Sequence, residues 1–123
     1  ICMIEPWNTR WSKWVFQRFH HEVFDPAAGN WEFVSSGPLS GANQALPWIV
    51  FKRDRIRFET EFPQWRIIKT EAFMPFVYLL SGGIATRNLM PGWSFGFWSG
   101  FERLLLFKPE KWAMFAHIVL ERN

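Results

Sequence analysis

The residues best suited to proton transfer stand together: His20 and His21, followed by Glu22 and Asp25. Imidazole titrates near neutrality, so either histidine can take a proton from a substrate hydroxyl, with a carboxylate to orient the ring. That makes His20 and His21 the candidate catalytic pair. A structural role competes: one histidine closes a helix C-terminus, where the macrodipole favours a cation, while the other packs. Asp25 can orient a histidine or touch substrate, and before Pro26 it can equally form an Asx-type turn. A metal is not expected here. Successive side chains diverge by about 100° on a helix, and no distant Cys or His pair completes a ligand set.

Two further groups can contact a ligand. Trp48 and Trp93 offer ring faces to a sugar or an aromatic acceptor, but with nine Trp in the chain, core packing competes at each. Lys52, Arg53, Arg55 and Arg57 can meet a phosphate. Asp54, Glu59 and Glu61 interrupt them in the pattern of a solvated helix face. The substrate-contact candidates are Trp48, Asp25 and Arg53.

The elements that must position these residues follow from periodicity and breakers. Ile1 to Ile4 reads as a buried strand closed by Glu5-Pro6. Asn8 or Thr9 caps a helix from about Arg10 to His21, with Trp11, Trp14, Val15 and Phe19 on its inner side. Asp25-Pro26 and Gly29-Asn30 make turns, Trp31 to Ser35 is weakly extended, and 36–41 is loop. A short helical turn from Ser40 or Asn43 yields near Pro47, before the apolar run Trp48 to Phe51. Asp54 caps a helix through Phe62, with Ile56, Phe58 and Phe62 inward, and Pro63 stops it. Trp65 to Phe73 reads as a strand with Ile67 and Lys69 on one face, Ile68 and Thr70 on the other. Phe76 to Leu80 is an apolar turn or helix broken by Ser81-Gly82-Gly83. Pro91 opens a last helix to about Phe107, Lys108-Pro109-Glu110 turns, and Trp112 to Glu121 is the final strand.

A hydrophobic content of 49% with 20% charged residues makes a globular chain, and 123 residues suffice for one core. The net charge of +3 lacks the dense Lys/Arg clustering of nucleic-acid binders, so no nucleic-acid partner is expected. The single cysteine, Cys2, excludes an internal disulfide and is compatible with a reducing cytoplasm. Fourteen Phe and nine Trp bring the aromatic content to 20%, surface that must be buried, paired or laid on a membrane. The opening Ile1-Cys2-Met3-Ile4, a strand with no preceding cap, reads as a cut from a longer chain.

Three stretches together resemble the C-terminal end of bacterial class I S-adenosylmethionine-dependent methyltransferases. Ile1 to Pro6 (ICMIEP) is similar to the fifth strand of that fold, which in many members ends in Glu-Pro. His20 to Pro26, Ser36 to Asn43 and Ala45 to Phe51 resemble an insert of one bacterial subgroup. Leu80 to Gly83, Pro91-Gly92-Trp93 and Ala113 to Ala116 are similar to that subgroup's end. The resemblance covers almost the whole chain and implies an α/β fold. Its sheet would be the C-terminal part of a Rossmann-like methyltransferase sheet: fifth, sixth and seventh strands with flanking helices, the last strand inserted antiparallel. In that fold the fifth strand lies between the fourth and the seventh, and the sixth and seventh form the antiparallel edge. Residues 1–123 then make one fragment, with an insert on the acceptor side over about 7–63 and a terminal strand pair over about 64–123.

The resemblance also implies the chemistry: an in-line displacement at a sulfonium methyl, aided by positioning and desolvation. S-adenosylmethionine is the cofactor of the complete parent. The acceptor would be a small molecule, a glycan or a lipid-linked compound, and the location cytoplasmic or the inner face of the membrane. The family holds its cofactor through a glycine-rich loop after the first strand and an acidic residue ending the second. No G-x-G-x-G occurs here, so no cofactor-binding residue is assigned and the chain alone is expected to bind none and to be inactive.

Gly92, Gly96 and Gly100 recur every four residues in the last helix, each costing about 1 kcal/mol relative to Ala. They are expected to mark a close contact: a missing half, a second copy, or an interfacial membrane approach. The uncharged stretches fall short of the ~18 residues a span requires. The competing reading is therefore a small aromatic-rich, non-enzymatic module that binds a membrane surface or a protein partner.

Overall fold

A computed structural model describes residues 1–20, 22–32, 42–73, 91–105 and 107–123. Among these the fold is mixed α/β, built on three strands: β1 (Cys2–Pro6), β2 (Trp65–Phe73) and β3 (Phe115–Arg122). The order across the sheet is β1-β3-β2, and β3 is antiparallel to both neighbours. β1 and β2 therefore run parallel to each other, separated by the strand that comes last in the chain. Alternation along β3 is regular: Ala116, Ile118 and Leu120 are buried, and the residues between them are half-buried.

β2 breaks its own alternation. Ile67 pairs with Leu120 and Lys69 with Val119, so a bulge at Ile68 displaces the register by one residue. Ile67, Thr70 and Ala72 consequently oppose the buried residues of β3, while Lys69 and Glu71 share the other face with Val119 and His117. The expected pairing of Ile67 with Lys69 on one face is corrected by that bulge.

α1 (Arg10–Phe19) begins at a reciprocal cap. The Thr9 hydroxyl accepts from the Ser12 N–H at 3.1 Å, and Ser12 Oγ accepts from the Thr9 N–H at 2.7 Å. Thr9 Oγ1 also donates to the Ala113 carbonyl at 2.7 Å, and Ser12 Oγ to that of Trp7 at 2.6 Å. These bonds turn Ser12 inward and rotate the helix about its axis. Ser12, Val15 and Phe16 are buried, whereas Trp14 and Phe19, expected inside, are 51% and 60% exposed.

Pro47 does not end a helix. It lies in the first turn of α2 (Leu46–Trp48), where its missing N–H costs nothing. The chain continues into a π-helical turn, Ile49–Arg53, marked by the bond from the Asp54 N–H to the Ile49 carbonyl at 2.7 Å. α3 (Arg55–Glu61) follows, with Asp54 at its N-cap position but its carboxylate engaged elsewhere. Phe58 is buried in α3, Phe62 after it is 39% exposed, and Ile56, expected inward, is 82% exposed. A 3-10 turn at Gly92–Ser94 leads into α4 (Phe95–Leu105), and Lys108-Pro109-Glu110 opens the short α5 (Pro109–Trp112).

Two clusters form the core. One gathers Val15, Phe16, Phe24, Ala45, Ile49 and Met114 beneath α1. The other lies on one face of the sheet, where Trp7, Phe58, Ile67, Ala116, Ile118 and Leu120 meet Trp48 and Phe51. The opposite face carries Cys2 and Ile4, both exposed, with the Cys2 thiol 2.9 Å from His117 Nε2. An ideal Cβ on Gly92, Gly96 or Gly100 meets nothing within 4 Å among the described residues, so the glycine stripe makes no close contact there. His21, residues 33–41, and the expected breaks at Phe76 to Leu80 and Ser81 to Gly83 lie outside the described residues.

Candidate functional site

A cavity of ≈ 620 Å³ opens between the α2–α3 run and β2, within the roughly 300–1,000 Å³ of small-molecule sites. Trp48, Phe51, Lys52 and Arg55 line one wall, at the spacing i, i+3, i+4 and i+7. Ile67, Thr70 and Ala72 of β2 line the other. Trp7, Asn8 and Thr9, which directly follow β1, form one end, and Pro109 and Glu110 of α5 complete it. The site thus lies beyond the carboxyl end of a strand, where open α/β sheets generally receive ligands.

Its polarity is graded. Trp7 and Ile67 are buried, Trp48 and Phe51 half-buried, and Lys52 and Arg55 exposed. Arg55 pairs with Glu59 at 2.8 Å, and Lys69, which also contributes to the lining, pairs with Glu71 at 2.6 Å. The Lys69 hydrogen bond and charge hold Glu71 below the usual carboxylate range. Lys52 has no ion pair among the described residues. Among the described residues the only carboxylate lining the cavity is that of Glu110, against Lys52, Arg55 and Lys69, so the rim is net cationic.

The residues singled out from sequence divide between this cavity and a separate polar clasp. Trp48 lines the cavity; His20, Asp25 and Arg53 are not among its lining residues. His20 caps α1, its backbone N–H donating to the Phe16 carbonyl at 3.1 Å. Its Nδ1 lies 3.3 Å from the Glu22 N–H and 3.2 Å from Gln44 Nε2, which also donates to Glu22 Oε2. Asp25 Oδ1 accepts from the Ala27 N–H at 2.9 Å, an Asx turn, and the Asp25 backbone exchanges two bonds with the Asn43 side chain.

Arg53 donates through Nη1 to the carbonyls of Pro26 and Ala28, at 2.9 and 2.8 Å, and through Nε and Nη2 to Asp54. Asp54 also accepts from Trp31 Nε1 at 2.9 Å, and the Arg57 guanidinium stands 4.2 Å over the Trp31 ring. The Arg53 hydrogen bonds, reinforced by that of Trp31, hold the Asp54 carboxyl at about 2. These groups fasten the 25–31 loop to the π turn. Their partners are protein atoms, so the clasp offers a ligand little.

Phe51, Asn8 and Thr70 were not selected from sequence, and Lys52 and Arg55 entered there only as part of a basic run weighed against a solvated helix face. The spacing of Trp48, Phe51, Lys52 and Arg55 was the available signal, hidden by dividing the run at Pro47 and Asp54. Among the described residues no three His, Cys, Asp or Glu side chains group as metal ligands. No described helix is long and apolar enough to cross a membrane. Compared with protein-family models, curated proteins and solved structures, the chain matches none.

Proposed function

We propose that these residues are the acceptor side and sheet edge of a class I S-adenosylmethionine-dependent methyltransferase. The observation that carries this reading is the sheet: order β1-β3-β2, with the last strand antiparallel between two mutually parallel strands. That is the arrangement expected of fifth, seventh and sixth strands. The Glu5-Pro6 end of β1, followed at once by residues lining a cavity, supports it further.

The cofactor does not fit the residues present. At the start of the helix after β1 the Thr9 and Ser12 N–H groups are each taken by the other residue's hydroxyl, so those two are not offered to a ligand. No glycine-rich turn accompanies it. Cofactor binding would be supplied by sequence outside these residues. The part assigned to this chain is to receive the methyl acceptor in the 620 Å³ cavity and shield it from water. Within it Trp48 would contact the acceptor, while His20, Asp25 and Arg53 would hold the adjoining loop.

Equilibrium dialysis with radiolabelled S-adenosylmethionine tests the reading. Residues 1–123 alone should retain none, whereas a natural open frame containing them and an upstream glycine-rich turn should bind it and transfer the methyl. Micromolar binding by residues 1–123, worth roughly 8 kcal/mol, would refute it. A second reading draws on the exposure of Trp93 (88%), Phe97 (68%) and Phe107 (83%): an interfacial module whose α4 lies on lipid. Co-sedimentation with phosphatidylglycerol vesicles, abolished by Trp93→Ser with Phe97→Ser, would favour that module.

A further inference from the structure

We infer that the cavity between the α2–α3 run and β2 binds an aromatic compound bearing a phosphate or carboxylate, apolar end first. The inference stands on the cavity and does not require methyl transfer. If methyl transfer holds, the bound compound is the acceptor.

Depth sorts the lining by polarity. At the floor, Trp7 and Ile67 are buried, and Trp48 and Phe51 form a half-buried aromatic wall above them. Planar apolar groups gain most from such a wall, through burial and ring contact. At the rim, Lys52 and Arg55 are exposed four and seven residues beyond Trp48, on the same wall. Arg55 already answers Glu59, but Lys52 answers no described carboxylate. A solvated ammonium beside an aromatic wall attracts an anion without first breaking a pair. Half-buried Asn8, whose side chain has no hydrogen-bond partner among the described residues, adds an amide donor at the β1 end. Glu110 is the one opposing charge among the described lining residues, and its repulsion of an anionic ligand is outweighed by the attraction of Lys52 and Arg55 together. The π turn at Ile49–Arg53 lies within this wall, and such turns recur at binding sites.

Calorimetric titration of residues 1–123 with 1-naphthyl phosphate, 1-naphthol and inorganic phosphate tests this directly. Naphthyl phosphate should bind at least about tenfold more tightly than either control, a difference of roughly 1.4 kcal/mol. Lys52→Met, at an exposed position, should remove most of that advantage while leaving naphthol binding unchanged. Raising salt from about 50 to 500 mM should act as the substitution does. Trp48→Ala should weaken both aromatic probes. Equal affinity for naphthol would overturn the anionic part, and equal affinity for inorganic phosphate the aromatic part. Undiminished binding by Lys52→Met, or no saturable binding of naphthyl phosphate below about 5 mM, overturns the assignment entirely. None of these outcomes depends on S-adenosylmethionine, so the methyltransferase reading stands or falls separately.

Discussion

Replacing Asp54 with alanine tests whether the clasp holds the loop against the helical wall. The carboxylate receives three hydrogen bonds: from Arg53 Nε at 2.7 Å, Arg53 Nη2 at 2.8 Å and Trp31 Nε1 at 2.9 Å. A bond from a neutral donor to a charged acceptor contributes about 1.5 kcal/mol or more. The Arg53–Asp54 pair keeps 29% and 21% of its side-chain surface in water. Its share is therefore near the upper end for surface pairs, about 0.5–1 kcal/mol. Asp54→Ala should cost about 2 kcal/mol. With a urea slope of roughly 1.5 kcal/mol per molar, the midpoint should fall by about 1.3 M at fixed protein concentration.

The pH dependence follows from the same contacts. Asp54 titrates at about 2 in the folded chain, below the roughly 3.9 of an unfolded aspartate. Folding therefore gains from ionised Asp54 above pH ~4, and the gain disappears as pH falls towards ~2. Wild type and variant should converge over that interval. A midpoint within about 0.2 M of wild type at pH 7, or a gap unchanged down to pH 2, would refute the clasp as a stabilising device.

Gly96→Ala should raise stability by about 0.5–1 kcal/mol, because the added methyl meets nothing among the described residues and glycine is a poor helix former; calorimetry showing a loss would restore the stripe as a close contact. The chain should self-associate in size-exclusion chromatography through β1, an outer strand on which Ile4 is 63% exposed and just before which Ile1 is 61% exposed. Ile4→Lys should shift that elution towards the monomer, and an unshifted profile would place the association elsewhere.

Local signals made much of the fold legible. Pro63 and the β-prone run after it place β2 at Trp65–Phe73, and Thr9 caps α1. What failed was orientation. The bulge at Ile68 has no Gly or Pro to announce it, and it reverses which residues of β2 face the core. Ser12 is polar, yet its bonds to Trp7 and Thr9 draw it inside and leave Trp14 in water. The histidine cluster attracted attention by type, but neighbouring loops supply hydrogen bonds to His20 and Asp25. The cavity unites residues near positions 8, 50, 70 and 110, a proximity created only by strand pairing. Of the site, Trp48 and the basic run holding Lys52 and Arg55 were visible in the sequence; the rest depends on tertiary structure.

The position of β3 governs how the chain is made. It is the middle strand, and among the described residues every ladder pairing of the sheet involves it, from Cys2↔Val119 on one side to Trp65↔Arg122 on the other. During synthesis β1 and β2 leave the ribosome long before the strand that joins them. Ile4, Trp65 and the aromatic wall then wait in a nascent chain whose sheet cannot close, and closure joins segments more than a hundred residues apart. For that interval the nascent polypeptide exposes apolar surface and unpaired strand edges that favour aggregation. A stop codon just before Phe115 would remove both ladders together, leaving two unpaired strands and an unsupported cavity wall.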